Sequence, residues 1–461
     1  MTIYLENISV AAHLLSITYR YESYSFEVGI WYDIDLKLVE QRYSKEVLEN
    51  IYFHIAAFEI NKLTSLKPNY IDFGKYAPFV NQEFWELWQT VQHKVWAQWR
   101  YEHNLPDYKV KLAHRISKRA AEITEIIKGD IEVLSFFGGG KDSLVTARLL
   151  EKSKIPYSSF NYAHSVYGKT EKQMELIGKL LEKLSPQKVH KQYVFDSFVD
   201  SPILKMEPQL GIDSITCAET PSSIFACLPI MLSEGYQYIA LGHEHSANVG
   251  NLVWNKTGEE INHQWGKSFE AEQLLNHYIQ TQLLCNFSYF SLLQPINDVL
   301  IFQLLSEDPQ LIPFAHSCNI EKPWCKRCPK CAYVWLNYMA YLPFDFVNKI
   351  FDNVNLLDLP ENQTSFQQML GFSEHTPFEC IGQIEECRLA MHICYLKGLR
   401  GKAMCWQEKI PIKDYGSIIN AFTKIHPENG LPLKFKLPIY VQFEKAQKKS
   451  LSFFKKHLIN F

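Results

Sequence analysis

The chain has 461 residues, 47% of them hydrophobic and 21% charged, a balance that excludes wholesale disorder and suggests several domains. A formal net charge of -3 supplies no global field toward DNA or RNA, so no nucleic-acid partner is expected. No run approaches the roughly 20 apolar residues of a membrane span, so no membrane insertion is expected. Residues 1–19 carry Glu6 and no basic leader, and so do not read as a signal peptide. The 11 cysteines are an odd number without an export signal, which argues against a disulfide framework and for a cytoplasmic location.

Residues 1–110 read as an N-terminal α+β domain. Segments 3–10, 13–21 and 25–33 have the β-branched and aromatic pattern of an antiparallel meander. Helical spacing follows over 44–62 and 82–102. There Trp85, Trp88, Val91, Val95 and Trp99 form one stripe, which predicts core packing rather than a base-stacking platform. Residues 111–310 change rhythm. Apolar runs at 131–137, 157–163, 189–195 and 236–242 alternate with helical segments at 144–152, 171–184 and 222–232. This alternation predicts an α/β doubly wound parallel sheet, with ligands beyond the carboxyl ends of its strands. Residues 311–461 read as a mainly helical C-terminal domain, with strand-like pieces near 436–441 and a basic, solvated helix face over 445–456.

The strand at 133–137 runs directly into Gly138, Gly139, Gly140, Lys141, Asp142 and Ser143, and then into a helix. Three glycines between strand and helix let backbone N–H groups close on an anion, and the helix N-terminus adds free donors. Asp142 and Ser143 are expected to cap that helix. The Walker A spacing is absent. A later strand ends in Gly242, His243 and Glu244; Glu244 has the hard oxygen donors that suit Mg2+. Cys318, Cys325, Cys328 and Cys331 offer four thiolates within a short run. That set suits a closed, structural zinc site; an iron–sulfur cluster is the other reading.

These pieces resemble known families. The glycine loop is similar to the Ser-Gly-Gly-x-Asp-Ser signature of the PP-loop ATP pyrophosphatases, with Gly138 where that family has serine. The Gly242–His243 step is similar to the same family's Gly-His element. The cysteine run resembles the zinc element of the 7-cyano-7-deazaguanine synthases. Three further strings, at 246–251, 261–270 and 376–382, join the loop and the cysteine run in resembling the MurL family of ATP-dependent UDP-N-acetylmuramoyl-L-alanyl-L-glutamate epimerases. Taken alone, Asn262, His263 and Gln264 also suit a buried turn, and Lys267 with Glu270 an exposed helical pair.

The MurL resemblance implies a nucleotide-sugar dipeptide substrate, with ATP and Mg2+ as cofactors. The terminal glutamate would be converted to an acyl-adenylate, which removes the carboxylate charge and acidifies the α-carbon. A protein base then takes the proton from one face and reprotonation inverts the centre. It implies nucleotide binding by residues 138–143 and by Gly242, His243 and Glu244, with Lys141 acting on the leaving diphosphate. His243, His263, Cys217 and Cys380 are the candidate bases, with His263 favoured. Two other readings remain: adenylation of a modified base or tRNA, and a non-catalytic nucleotide sensor.

Overall fold

The computed structural model describes residues 1–165, 169–201, 203, 219–410 and 414–458. Its N-terminal strands β1 (Thr2–Val10), β2 (Leu14–Tyr21) and β3 (Tyr24–Tyr32) pair antiparallel, as their alternation predicts. β4 (Tyr70–Asp72) and β5 (Lys111–Leu112) continue that side. Then come β6 (Val133–Phe136), β7 (Tyr157–His164), β8 (Val189–Asp196), β9 (Tyr238–Leu241) and β12 (Ser288–Ser291). A separate hairpin is formed by β10 (Leu252–Trp254) and β11 (Glu259–Ile261).

All but the hairpin belong to one ten-stranded, mostly parallel sheet of order β12-β9-β6-β7-β8-β3-β2-β1-β4-β5. The meander does not close a sheet of its own. β3 pairs antiparallel with β8, from Val28 opposite Asp196 to Tyr32 opposite Gln192. This pairing covers an otherwise open strand edge, and Phe26, Val28, Ile30 and Tyr32 along one face of β3 are buried. Within the parallel part, strand order reverses at β6, and β6 and β9 lie side by side. A crevice at such a reversal, beyond the carboxyl ends, is where doubly wound sheets bind ligands.

Helices cover the sheet. Ser44 caps the helix Lys45–Glu59 by accepting from Val47 N at 3.2 Å, and Asn81 caps Gln82–Val95 by accepting from Phe84 N at 2.8 Å. The single helix expected over 82–102 is broken at Trp96, whose indole turns inward to donate to Asn61 at 2.7 Å. Trp85, Trp88, Val91 and Trp99 are buried, as the stripe predicts. The apolar helix Glu219–Glu234 lies against the N-terminal helices, with Phe58 and Phe225 stacked 4.4 Å apart. No helix among the described residues is long and apolar enough to cross a membrane.

One expectation fails in the C-terminal region. Residues 436–441 are not strand-like but lie inside the 25-residue helix Leu433–His457. Phe435, Ile439 and Phe443 recur at four-residue spacing and are all buried, so helical periodicity overrides the local β preference.

Candidate active site

The glycine loop sits at the carboxyl end of β6. Gly139 has φ +76°, a left-handed conformation that suits glycine, and Gly140 is the extended N-cap of the helix Lys141–Lys152. Asp142 and Ser143 do not cap this helix as expected. Ser143 Oγ instead donates to Gly140 O at 3.0 Å, and the Asp142 carboxylate is drawn to the Lys141 ammonium at 2.5 Å. The Lys141 N–H finds the Ser317 hydroxyl at 3.2 Å. His316 N donates to Gly139 O at 2.8 Å, and its ring fills the space beside Gly139, where a Cβ would lie 2.6 Å from Cε1. A Cβ at Gly138 would meet nothing within 4 Å, so the departure from serine leaves open space there.

Lys141 is fully buried and does not reach out over the loop. Its Nζ donates to Asp142 and to Asp298, each at 2.5 Å, and Tyr333 OH donates to the second Asp298 oxygen at 2.5 Å. Burial disfavours the ammonium, but Asp142, Asp298 and Glu244 outweigh it and hold Lys141 firmly protonated.

The turn after β9 presses on this loop. A Cβ at Gly242 would lie 2.6 Å from Thr146 Oγ1 and 2.9 Å from Asp142 O. His243 is buried, with Nδ1 3.2 Å from Ser291 Oγ; burial, then the charge of Lys267, keeps its ring neutral by pushing its pKa well down. Glu244 is only 3% exposed, which excludes a solvated loop carboxylate. Burial, followed by Asp142, pushes its pKa up to about 7, against the pull of Lys141. Asp142, Glu244 and Asp298 thus crowd a single ammonium, and this acidic excess is donor chemistry that suits a divalent cation.

The three strings singled out in the sequence meet beside this turn. Asn251 Nδ2 donates to Thr376 Oγ1 at 3.0 Å and to Pro377 O at 2.9 Å, while Asn251 Oδ1 accepts from His263 N at 2.9 Å. Gln264 Nε2 donates to Ile381 O at 3.3 Å. Asn262 accepts from Gln264 N at 2.8 Å, so the buried-turn role of this segment is real as well. Lys267 does not pair with Glu270: its Nζ donates to Cys380 Sγ at 2.9 Å, and Glu270 accepts from Trp265 Nε1 at 2.9 Å. Lys330 donates to Cys380 O. A cleft of about 420 Å³ runs along the same segment, lined by Lys94, His245, Asn262, Trp265 and Glu270 among others.

His263 is held from the N-terminal region. Its Nδ1 lies 2.6 Å from Gln98 Oε1, an arrangement that puts the proton on Nδ1 and leaves Nε2 as the basic atom. Burial is the main cause of its lowered pKa; Lys267 and Lys330 add to it, and Glu379 opposes. Arg100 anchors the hairpin behind it through Glu259 at 2.6 Å. Sequence reasoning missed Gln98, Asp298, Ser317, Lys330 and Tyr333, whose partners are remote in the chain. Cys217 lies outside the described residues.

The four cysteine sulfurs gather within 4.8 Å of one another. Cys318 and Cys328 are 3.9 Å apart, and Cys325 and Cys331 3.8 Å. Zinc–sulfur bonds of about 2.3 Å give a tetrahedral edge of about 3.8 Å, close to the separation of these two pairs, so the donor set fits zinc. Hydrogen bonds from Cys328 and Cys331 draw Cys318 toward thiolate, while their bonds to Cys318 push those two thiols up. Four sulfur donors held this close together suit a soft cation.

Residues 221–292 match the family model described as MurL N-terminal domain, and residues 314–410 that described as MurL C-terminal domain. Gly242, His243, Glu244, His263 and Lys267 fall in the first span, and the four cysteines with Cys380 in the second; the glycine loop precedes both. The chain is 30% identical over 316 residues to the UDP-N-acetyl-alpha-D-muramoyl-L-alanyl-L-glutamate epimerase of Micromonospora sp., covering 66% of each chain. It is 27% identical over 314 residues to the protein of that name in Salinispora tropica, covering 66% of this chain and 64% of the relative. A third protein of that name, from Xanthomonas oryzae pv. oryzae, is 25% identical over 349 residues, covering 73% and 71%. The matches thus span just under two thirds of the length of the first two relatives.

Proposed function

This chain belongs to the MurL family, and on that premise we propose that it converts the terminal L-Glu of UDP-MurNAc-L-Ala-L-Glu to D-Glu through an acyl-adenylate, releasing AMP and diphosphate. The observation that carries this reading is the meeting of segments 246–251, 261–270 and 376–382 beside the β9 turn, against the glycine loop. Nucleotide chemistry and proton-transfer chemistry thereby share one crevice.

The backbone of Gly138, Gly139 and Gly140, with the first turn of the following helix, suits the diphosphate that leaves. Lys141 acts from beneath, as a buried positive charge that fixes Asp142 in place. Mg2+, when bound by Asp142 and Glu244, would neutralise charge on the phosphates. Adenylation removes the negative charge that keeps the α-proton of glutamate in place. His263, neutral because it is buried, accepts that proton through Nε2. Cys380, held by Lys267, is the second acid–base group and serves the opposite face. A zinc ion held by Cys318, Cys325, Cys328 and Cys331 would fasten the segment that brings His316 and Ser317 to the loop.

One incubation tests the reading: the protein with ATP, Mg2+ and UDP-MurNAc-L-Ala-L-Glu in D2O, analysed by mass spectrometry and chiral analysis. D-Glu product, deuterium at its α-carbon and a matched yield of AMP are expected. AMP without α-exchange would move the substrate elsewhere, and neither signal would remove the enzymatic reading.

A further inference from the structure

Two hydroxyls at the glycine loop are already engaged. Ser143 Oγ donates to Gly140 O at 3.0 Å, and Ser317 Oγ accepts from Lys141 N at 3.2 Å. One ring nitrogen at the same loop is not. His316 is 2% exposed, and its Nε2 has no hydrogen-bond partner among the described residues. Nearly all buried polar atoms find a partner, so an unused nitrogen against an anion-binding loop marks a place for a ligand atom.

The loop itself fixes where this nitrogen lies. His316 N donates to Gly139 O at 2.8 Å, and a Cβ on Gly139 would lie 2.6 Å from the ring Cε1 and 3.0 Å from Nε2. Glycine at 139 therefore admits the imidazole as well as the left-handed turn. Ile177 closes the same space, its Cγ1 3.2 Å from that Cβ position. One residue earlier, a Cβ on Gly138 would meet nothing within 4 Å. That is where the PP-loop signature carries a serine hydroxyl and this chain carries no side chain. The missing donor and the unused nitrogen are neighbours on one loop.

We propose that His316 supplies the side-chain donor that Gly138 lacks, its Nε2–H binding a phosphate oxygen of ATP and of the diphosphate that leaves. This rests on the nucleotide reading of the loop given above. The ring acts as a neutral imidazole. Its Nδ1 is 3.4 Å from Phe314 O, a long contact that is given up when the ring proton sits on Nε2 instead. A hydrogen bond to a charged phosphate oxygen is the stronger of the two. When the bond from the α-phosphorus to the bridging oxygen breaks, its electron pair stays on the diphosphate, and charge collects there. No covalent bond forms or breaks at His316; the ring holds the leaving group while that charge appears.

Calorimetric binding of inorganic diphosphate with Mg2+ tests the contact without turnover. His316→Phe keeps a ring against Gly139 and removes the donor. It is expected to weaken diphosphate binding about 10–100-fold, the worth of a hydrogen bond to a charged group. His316→Gln keeps a donor and is expected to bind nearer to wild type. Gly138→Ser added to His316→Phe returns a hydroxyl to the loop, where its Cβ has open space, and is expected to recover much of the loss. A further readout needs no substitution in the protein measured. The ring-nitrogen NMR resonance of His316, identified by its absence from His316→Gln, is expected to move when diphosphate is added to the wild type. Wild-type affinity in His316→Phe overturns the proposal. So does equal weakening in His316→Phe and His316→Gln without recovery by Gly138→Ser, and so does an unmoved His316 resonance in wild type saturated with diphosphate. Wild-type protein that binds neither diphosphate nor ATP overturns the nucleotide reading itself, and the proposal with it.

Discussion

The Lys141 ammonium lies 2.5 Å from the Asp298 carboxylate, and both are sealed from solvent. This pair ties the glycine loop to the helix Asp298–Leu305, and Tyr333 extends the tie to the cysteine-bearing helix Pro329–Tyr341. Removing one partner of a buried ion pair strands the other. Asp298→Ala is therefore expected to destabilise the protein by about 3–5 kcal/mol in urea unfolding. Asp142 is partly exposed, so Asp142→Ala is expected to leave the fold intact while abolishing diphosphate release. Similar stability of the two variants would show that the Asp298 pair is not the stronger tie.

Gly242 tests the contact between the two strand-end loops. Gly242→Ala places a methyl against Asp142 O and Thr146 Oγ1, and backbone cannot step aside as a flexible side chain can. The loops are expected to part, raising KM for ATP roughly tenfold, the equivalent of about 1.4 kcal/mol of lost binding. Unchanged kinetics for ATP would mean that this approach is not part of nucleotide binding.

The cysteine cluster makes a metal prediction. Purified protein is expected to hold about one zinc per chain, four thiolates closing one tetrahedral site. Cys328→Ser should lower that content and the thermal midpoint together. Because Ser317 and His316 adjoin Cys318, the same variant should also weaken diphosphate binding. Full zinc content in Cys328→Ser, measured by plasma mass spectrometry, would refute the site.

His263 and Gln98 predict a divided phenotype. His263→Ala should adenylate substrate but cease α-proton exchange. Gln98→Leu should slow exchange roughly tenfold, the worth of one hydrogen bond that sets the tautomer, with diphosphate exchange unchanged. The base is the neutral ring, and burial lowers its pKa, so the acid limb of the exchange profile should fall below pH 6.5. An acid limb above that value would exclude His263 as the base.

A separate pH effect concerns stability. His54 is buried, with Nδ1 2.7 Å from Asn50 O and Nε2 2.6 Å from Tyr278 OH. Burial pushes its pKa down to about 4, against an ordinary value of 6.5. Below pH 6.5 the unfolded chain takes the proton first, so stability is lost as pH falls from there toward 4. The loss approaches about 3 kcal/mol at completion. The slope of unfolding free energy with pH should be shallower over that window in His54→Gln than in the wild type; identical slopes would remove His54 as its source.

Much of this protein is determined by the sequence itself. Strand alternation over the meander, the strand–glycine–helix junction at 133–152 and the close spacing of four cysteines depend on groups a few residues apart. Backbone geometry then leaves little choice: a period of two makes a strand, and a glycine run beside a helix start makes a loop. The misjudged pieces were also local. The β preference of 436–441 gave way to the longer helical spacing of Phe435, Ile439 and Phe443, and Asp142 left its cap for the ammonium of Lys141.

Only the tertiary structure decided the partners. Gln98 and His263 are 165 residues apart, Lys141 and Asp298 157, and Lys267 and Cys380 113. No periodicity links such pairs, and each residue alone reads as an ordinary surface or turn group. They meet because the sheet reverses its order at β6 and β3 docks on β8, bringing N-terminal, central and C-terminal segments to one crevice. Local chain geometry chooses elements; burial of distant surfaces, which excludes water and leaves each polar group to find a partner, chooses which side chains share a site.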